Sequence, residues 1–362
     1  MVNIINKDIE YFYEQIKCKK LYMFGAGKRA KYLCATYHLE NNIEAIIDNN
    51  SSLHNEKFEY HGKQIQIISI ETFVNIVKEK GIENIVLLVS SIYFAWTIIE
   101  QLDAIRELNG LYCYLGRIMD DCVELQKFEF TKGKQLIPKK IHYCWFGHNP
   151  IPKHLLKFME SWKKYCPDYE IIQWDESNYD IKKNKYMNQA YERGKWGFVP
   201  DYARLDIIYK EGGIYLDTDV ELISSLDKLL NDKMFCGFAS SRLINFGLGF
   251  GACKENEIIK ELRDVYEDFT FIDINGNENL TACSWYEHPV FEKYGFKING
   301  KYQSRDGIIL YPPEVFSPLG SSMVVSNFSA NTISIHHAEL SWISRKEKAE
   351  FGRFQENVKK RL

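Results

Sequence analysis

The chain has 362 residues, 45% hydrophobic and 14% aromatic, enough apolar material for about two packed domains and too much for a disordered polymer. A formal net charge of -3 excludes a general nucleic-acid binder, whose phosphate contacts need a large basic excess. Nine cysteines, an odd number with no CxxC pair, signal neither a disulfide framework nor a thiolate zinc site and suit a reducing cytoplasm. The N-terminus, MVNIINKDIEYFYEQ, has acidic residues where a secretory signal needs a basic end and an apolar run. The longest apolar stretch, IVLLVSSIYFAWTII, is interrupted by Ser90 and Ser91 and is too short to span a bilayer as one helix.

From Leu21 the pattern reads strand (LYMF), glycine turn (GAGKRA), helix (KYLCATYHLE) and strand (EAIID). IETFVNIVKEK then reads as a helix, NIVLLVS as a buried strand, FAWTIIEQLDAIREL as a helix and LYCYL as a strand. This alternation predicts a parallel α/β sheet with right-handed crossovers, a Rossmann-like domain over residues 1–130. Gly25, Gly27 and Ala30 form GxGxxA between strand and helix, and Asp48 closes the next strand at the spacing of a ribose-binding acid. Such a turn brings backbone N–H groups to a diphosphate, which makes Gly25 and Gly27 candidate cofactor contacts. The same turn is also needed simply to fold strand onto helix. Taken as functional, it supports an alternative reading as an NAD-dependent oxidoreductase or epimerase, although no Tyr-x-x-x-Lys element follows that domain at a sensible distance.

The polar QKFEFTKGKQ reads as a linker, and a second alternating α/β pattern starts at IPKKIHYCWFG, giving a second domain over residues 136–362. Within it, Pro200 opens a helix that GGI closes, and Asp201 and Arg204, three apart, share a face. GGIYLDTDVE follows and reads as a strand, on which Asp217 and Asp219 point to the same side. Two carboxylates so placed suit a hard divalent cation, Mg²⁺ or Mn²⁺, with positions left for a ligand's phosphates. Asn245 to Ala252, NFGLGFGA, reads as a tight connection or as backbone passing close to a ligand. SRKEKAEFGRFQENVKKRL reads as a basic amphipathic surface helix, whose functional reading is peripheral contact with an anionic membrane.

IPKKIHYCWFG, DYARLDIIYKEGGIYLDTDVE and IHHAELSW together resemble the DxD-containing glycosyltransferases of family 32, a group similar to the glucosyltransferase domains of the large clostridial toxins. The resemblance covers most of Ile137 to Trp342. It implies a GT-A fold after the Rossmann-like domain. It also implies transfer of a sugar, with retention, from a nucleotide diphosphate sugar, UDP favoured. The implied acceptor is a glycan or lipid-linked oligosaccharide of bacterial capsular or surface polysaccharide synthesis, and the place cytoplasmic, at the inner face of the membrane. Residue by residue, the resemblance implies that Trp145 stacks on uracil, that Asp201 and Arg204 contact the donor sugar, and that Tyr215 lines the nucleotide site. Asp217 would reach ribose and metal through water, Asp219 would bind the metal directly, and Ser341 and Trp342 would lie near the metal and the β-phosphate. Of the adjacent His336 and His337, a strand turns one toward the site as a metal ligand, and which one stays open. LTACSWYEHP departs from the family's Thr-Gly-Pro-like element, and the oligomeric state is left open. The first domain separately resembles the small nucleotide-sugar-binding domains that precede sugar acetyltransferases.

Overall fold

The computed structural model describes residues 1–54, 56–339 and 344–362. It divides into one unit of Met1–Glu124, Ser322–Val325 and Ile343–Leu362 and a second of Leu125–Ser321 and Ser326–Trp342. In the first, β1 (Asn3–Ile4), α1 (Ile9–Cys18), β2 (Lys20–Phe24), α2 (Lys28–Tyr37) and β3 (Ile43–Ile47) lead into a hairpin of β4 (Lys57–Tyr60) and β5 (Lys63–Ile68). There follow α3 (Ile70–Lys80), β6 (Ile85–Val89), α4 (Ala95–Asp103), β7 (Tyr112–Leu115) and α5 (Gly116–Asp121). The strands lie in the order β1-β7-β6-β2-β3-β5-β4, parallel except for the outer β4. The parallel α/β sheet expected of this half is what they build. Each residue of β6, IVLLV, is buried, as a strand covered on both faces requires. The hairpin turns on His61 and Gly62, both at positive φ, the geometry a two-residue turn between twisted strands needs.

The second unit contains β8 (Lys140–Cys144), α6 (Lys153–Tyr165), β9 (Glu170–Trp174), α7 (Lys185–Glu192), α8 (Pro200–Glu211), β10 (Gly213–Tyr215) and β11 (Val220–Leu222). Then come β12 (Met234–Ser240), β13 (Leu243–Ile244), β14 (Phe250–Ala252), α9 (Glu257–Asp264), α10 (Ser284–Lys293), β15 (Gln303–Arg305), β16 (Ile308–Tyr311), α11 (Pro313–Phe316) and β17 (Ser334–His336). Its main sheet runs β15-β16-β12-β14-β10-β8-β9, with β13 beside β12, and β11 and β17 form a separate ribbon. Strands β8, β9 and β10 are parallel, and β14 runs against both of its neighbours. This mixed sheet with its helices is the α/β class expected of the second half. Successive strand residues feed two apolar clusters: Ile141 and Ile214 enter one, Cys144 and Tyr215 the other.

Helix α8 is buried from Asp201 to Ile208, so it lies inside the unit and shows little amphipathic pattern. Proline at its first turn and Gly212, with φ at +63°, mark its two ends. Asp206 on this helix is fully buried, yet Lys183, Lys210 and Tyr179 bond it, outweigh the cost of burial and hold its carboxyl below the ordinary range.

Three expectations need correction. QKFEFTKGKQ is not a free linker: Phe128 stacks on Tyr302 with centroids 4.7 Å apart, and Gln126 bonds the Tyr302 N–H and the Gly300 carbonyl. Its phenylalanines alternate because they cover an aromatic patch. The second is the C-terminal helix, α12 (Arg345–Lys359), which belongs to the first unit and does not extend the second domain. It buries Phe351, Phe354 and Val358 there, each worth about 1.5–3 kcal/mol when fully covered. Arg353 and Arg361 bond Glu100 and Asp103 of α4, so the apolar stripe read as a membrane face is spent inside the fold. The third concerns GGIYLDTDVE, which is not one strand. It leaves the sheet at Tyr215, turns through Asp217 to Asp219, and re-enters regular pairing at Val220.

Candidate active site

The double glycine places this turn. A Cβ on Gly213, which sits at φ +109°, would lie 2.9 Å from both His142 Nε2 and the Lys140 carbonyl, so no larger residue lets β10 pair beside β8 here. Beneath it, His142 Nε2 donates to the Gly212 carbonyl at 2.9 Å and its Nδ1 accepts from Trp174 Nε1 at 3.0 Å. Burial pushes this imidazole down to about 4, so it is neutral and fixed in one tautomer.

Past Tyr215, the Val220 N–H bonds the Asp217 carbonyl and closes the turn. Pairing of β11 with β17 then sets Val220 opposite His336 and delivers the imidazole to the two carboxylates. Asp217, Asp219 and His336 each offer a ligand atom, all within 4.8 Å of one another. Asp217 is oriented by the Tyr215 hydroxyl, which donates to it at 2.9 Å. Asp219 accepts the Glu339 N–H at 2.9 Å, and His336 Nε2 stands 3.4 Å from its other oxygen. Burial alone would raise Asp219, but the His336 charge and these hydrogen bonds outweigh it and hold the carboxyl at about 2. Burial pushes Asp217 up, against Arg204, and the neighbouring Asp219 charge adds to the rise. His336 moves upward, because Asp219 overcomes its burial. The two crowded carboxylates favour positive charge at the His336 ring, and a divalent cation held between the three side chains would supply more of it. Two carboxylate oxygens with one imidazole nitrogen match Mn²⁺ better than Mg²⁺, which favours an all-oxygen shell.

Of the paired histidines, His336 therefore faces the site. His337 turns away, bonds Glu221 at 2.9 Å and stacks on Phe158. Tyr215 does not line an open pocket: it is 1% exposed, and its hydroxyl is engaged by Asp217. Asp201 and Arg204 pair at 2.6 Å, buried, with the Arg204 guanidinium 6.0 Å from the Tyr215 ring centre. Burial lifts Asp201 to about 6 although Arg204 pulls the other way. Trp145 follows β8 directly, half-buried, with its indole N–H given to the Asn149 carbonyl. Ser341 and Trp342 lie outside the described residues.

Sequence reasoning missed two residues beside Arg204. Cys283 Sγ accepts from Arg204 at 3.0 Å, and the Glu287 carboxylate lies 3.9 Å away. Their i, i+4 spacing at the start of α10 was the available signal. Gly247, in NFGLGFGA, leaves no room for a Cβ, which would sit 2.4 Å from Asp217 Oδ2, so close approach explains that glycine. Gly25 and Gly27 lie elsewhere, in the first unit. There the Ala26 N–H donates to Asp48 and the Gly25 N–H to the Ile47 carbonyl, so these two donors of the turn are used internally.

Residues 152–236 match the family described as glycosyltransferase sugar-binding region containing DXD motif. The chain is similar to inositol phosphoceramide mannosyltransferase 3 of Schizosaccharomyces pombe, 37% identical over 28% of this chain and 30% of that one. It is also similar to subversion of eukaryotic traffic protein A of Legionella pneumophila, 28% identical over 30% of this chain and 21% of that one. The chain thus spans less than half the length of the curated relatives it matches. Among solved structures, PaToxG glycosyltransferase aligns with a TM-score of 0.35 and 16% identity over 62% of this chain and 87% of that one. The matched stretch, residues 152–236, holds Asp201, Arg204, Asp217 and Asp219, so the likeness to DXD-containing glycosyltransferase sugar-binding regions falls on the candidate site itself.

Proposed function

We propose that the second unit is a metal-dependent, retaining glycosyltransferase that moves a sugar from a nucleoside diphosphate sugar, UDP favoured, to a glycan or lipid-linked acceptor of a bacterial surface polysaccharide, at the cytoplasmic face of the membrane. The convergence of Asp217, Asp219 and His336 beside the buried Asp201–Arg204 pair carries this reading. When bound, a divalent cation neutralises charge on the diphosphate leaving group. Asp217, Asp219 and His336 would hold it. Tyr215 fixes Asp217 and the Glu339 N–H fixes Asp219, so both carboxylates are set in place before a donor arrives. Arg204 and Asp201 offer a donor and an acceptor to sugar hydroxyls and would hold the ring in a reactive pose. Trp145 presents an indole face for a nucleobase.

Thermal unfolding with UDP, GDP, NAD and NADP, each with and without Mn²⁺, tests this. A ligand at a hundredfold excess over its dissociation constant stabilises by about 2.7 kcal/mol. A Mn²⁺-dependent shift with UDP is expected. An equal shift with GDP would widen the donor class toward GDP-mannose, in line with the mannosyltransferase relatives. A metal-independent shift with NAD alone would overturn the proposal and return the chemistry to Gly25 and Gly27.

A further inference from the structure

Glu287 lies one helical turn after Cys283, so both side chains share the face of α10 that meets Arg204. It is 1% exposed, and among the described residues no N–H or O–H donor reaches either carboxylate oxygen; the weak Cys283 thiol stands beside it. Arg204 Nε is buried and likewise without a partner. Two complementary groups left unjoined in the interior are costly, since each keeps the desolvation penalty without the hydrogen bond that would offset it. An apolar side chain of similar volume would avoid that cost, so stability does not account for a carboxyl here. The helix that carries it is pinned in place: the next residue, His288, accepts the Ile244 N–H of β13 at 3.1 Å.

We propose that Glu287 is a positioning residue for Arg204: together with Cys283 and Asp201 it cradles the guanidinium, and so fixes which of its N–H groups remain for the donor sugar. This rests on the donor-sugar role proposed above for Arg204. Burial pushes Glu287 up to about 8, so near neutral pH it is a neutral acid, and Arg204 faces fewer negative charges than its three carboxyl neighbours, Asp201, Asp217 and Glu287, would otherwise impose. A neutral carboxyl keeps an acceptor for the guanidinium without competing for its charge.

The test is donor hydrolysis by the full chain with Mn²⁺, using whichever of UDP-glucose, UDP-galactose, UDP-N-acetylglucosamine and GDP-mannose the wild type turns over fastest. Glu287→Leu is expected to lower kcat about tenfold or more, with donor KM within about threefold and a melting temperature at or above wild type. Glu287→Met, unbranched and nearly the same length, carries the same expectation if leucine is not accommodated. Glu287→Gln, which keeps the shape and a neutral acceptor, is expected to restore kcat to within about threefold. In an Arg204→Lys background, Glu287→Leu is expected to add less than about twofold, because the group it positions is gone. Unchanged kcat in Glu287→Leu, or fully multiplicative losses in the double variant, would overturn this inference and leave the donor reading standing. No turnover of any of the four donors by the wild type would overturn the donor reading and this inference with it.

Discussion

The glycine turn of the first unit and the DxD turn of the second both follow a parallel strand and both set aspartates beside close-packed glycines, yet they use the carboxylates differently. Asp48 gives one oxygen to the Ala26 N–H and the other to the Asn50 N–H, each at 2.8 Å. Its capacity is consumed by the turn that bears it, as the fold alone would require. Asp217 and Asp219 are instead crowded against each other, with His336 Nε2 3.4 Å from Asp219. Like charges held together cost energy that folding does not demand, and the ligand-site reading proposed above rests on that excess. What separates the two places is whether the local backbone already satisfies the acid.

The strongest way to break that contrast is Asp219→Asn. Loss of one preorganised charge at a developing diphosphate is expected to lower turnover about 10²–10³-fold and to abolish the Mn²⁺-dependent thermal shift with UDP. Steady-state hydrolysis and thermal unfolding on the same preparation check both. Retention of the shift in Asp219→Asn would mean that the two turns are alike and that neither holds the cation.

Much of this was legible in the sequence because α/β alternation survives where strands are buried on both faces, as in IVLLV, and because proline and paired glycines delimit α8. The shared orientation of the aspartates was read from strand periodicity, and the site is assembled by a turn and a distant ribbon instead. His336 arrives through pairing with Val220, 116 residues earlier in the chain, a register that local pattern does not encode. Glu287 and Cys283 were missed for a related reason. Their role depends on α10 packing against α8, and on its own SWYEHPVFEK shows no clear apolar face. The aromatic pair in KFEF carried a strand-like alternation that polar neighbours disguised as a linker.

Acid sensitivity sharpens the comparison at the next level of effect. His142, under the DxD strand, has its proton affinity depressed to about 4 from an ordinary 6.5, because burial penalises the charged ring. The unfolded chain binds that proton more readily, so the stability His142 contributes is present above about pH 6.5 and drains as pH falls toward 4, by up to about 3 kcal/mol. In the first unit the buried Asp120 is shifted upward by burial despite Arg29 and Tyr37, and has the opposite sign over that window. Urea unfolding at pH 7 and pH 4.5 is expected to show a smaller acid loss in His142→Gln than in wild type. Equal losses would assign the sensitivity elsewhere.

The smallest effect discriminates most finely, because it asks what a glycine in the first turn is for. Gly25 has φ at +99°, and a Cβ there would meet Ser90 Oγ at 2.6 Å. That hydroxyl donates toward the Phe24 and Gly25 carbonyls and is buried, so it cannot swing aside without losing those contacts. Gly25→Ala is therefore expected to cost about 1–2 kcal/mol of stability, through strain and a displaced hydrogen bond. If the turn serves the fold, donor hydrolysis per folded molecule stays at the wild-type rate and the loss appears in thermal unfolding alone. If instead stability is unchanged and binding of NAD or UDP falls, the glycine was reserved for a ligand, and the first turn would join the second as a binding site.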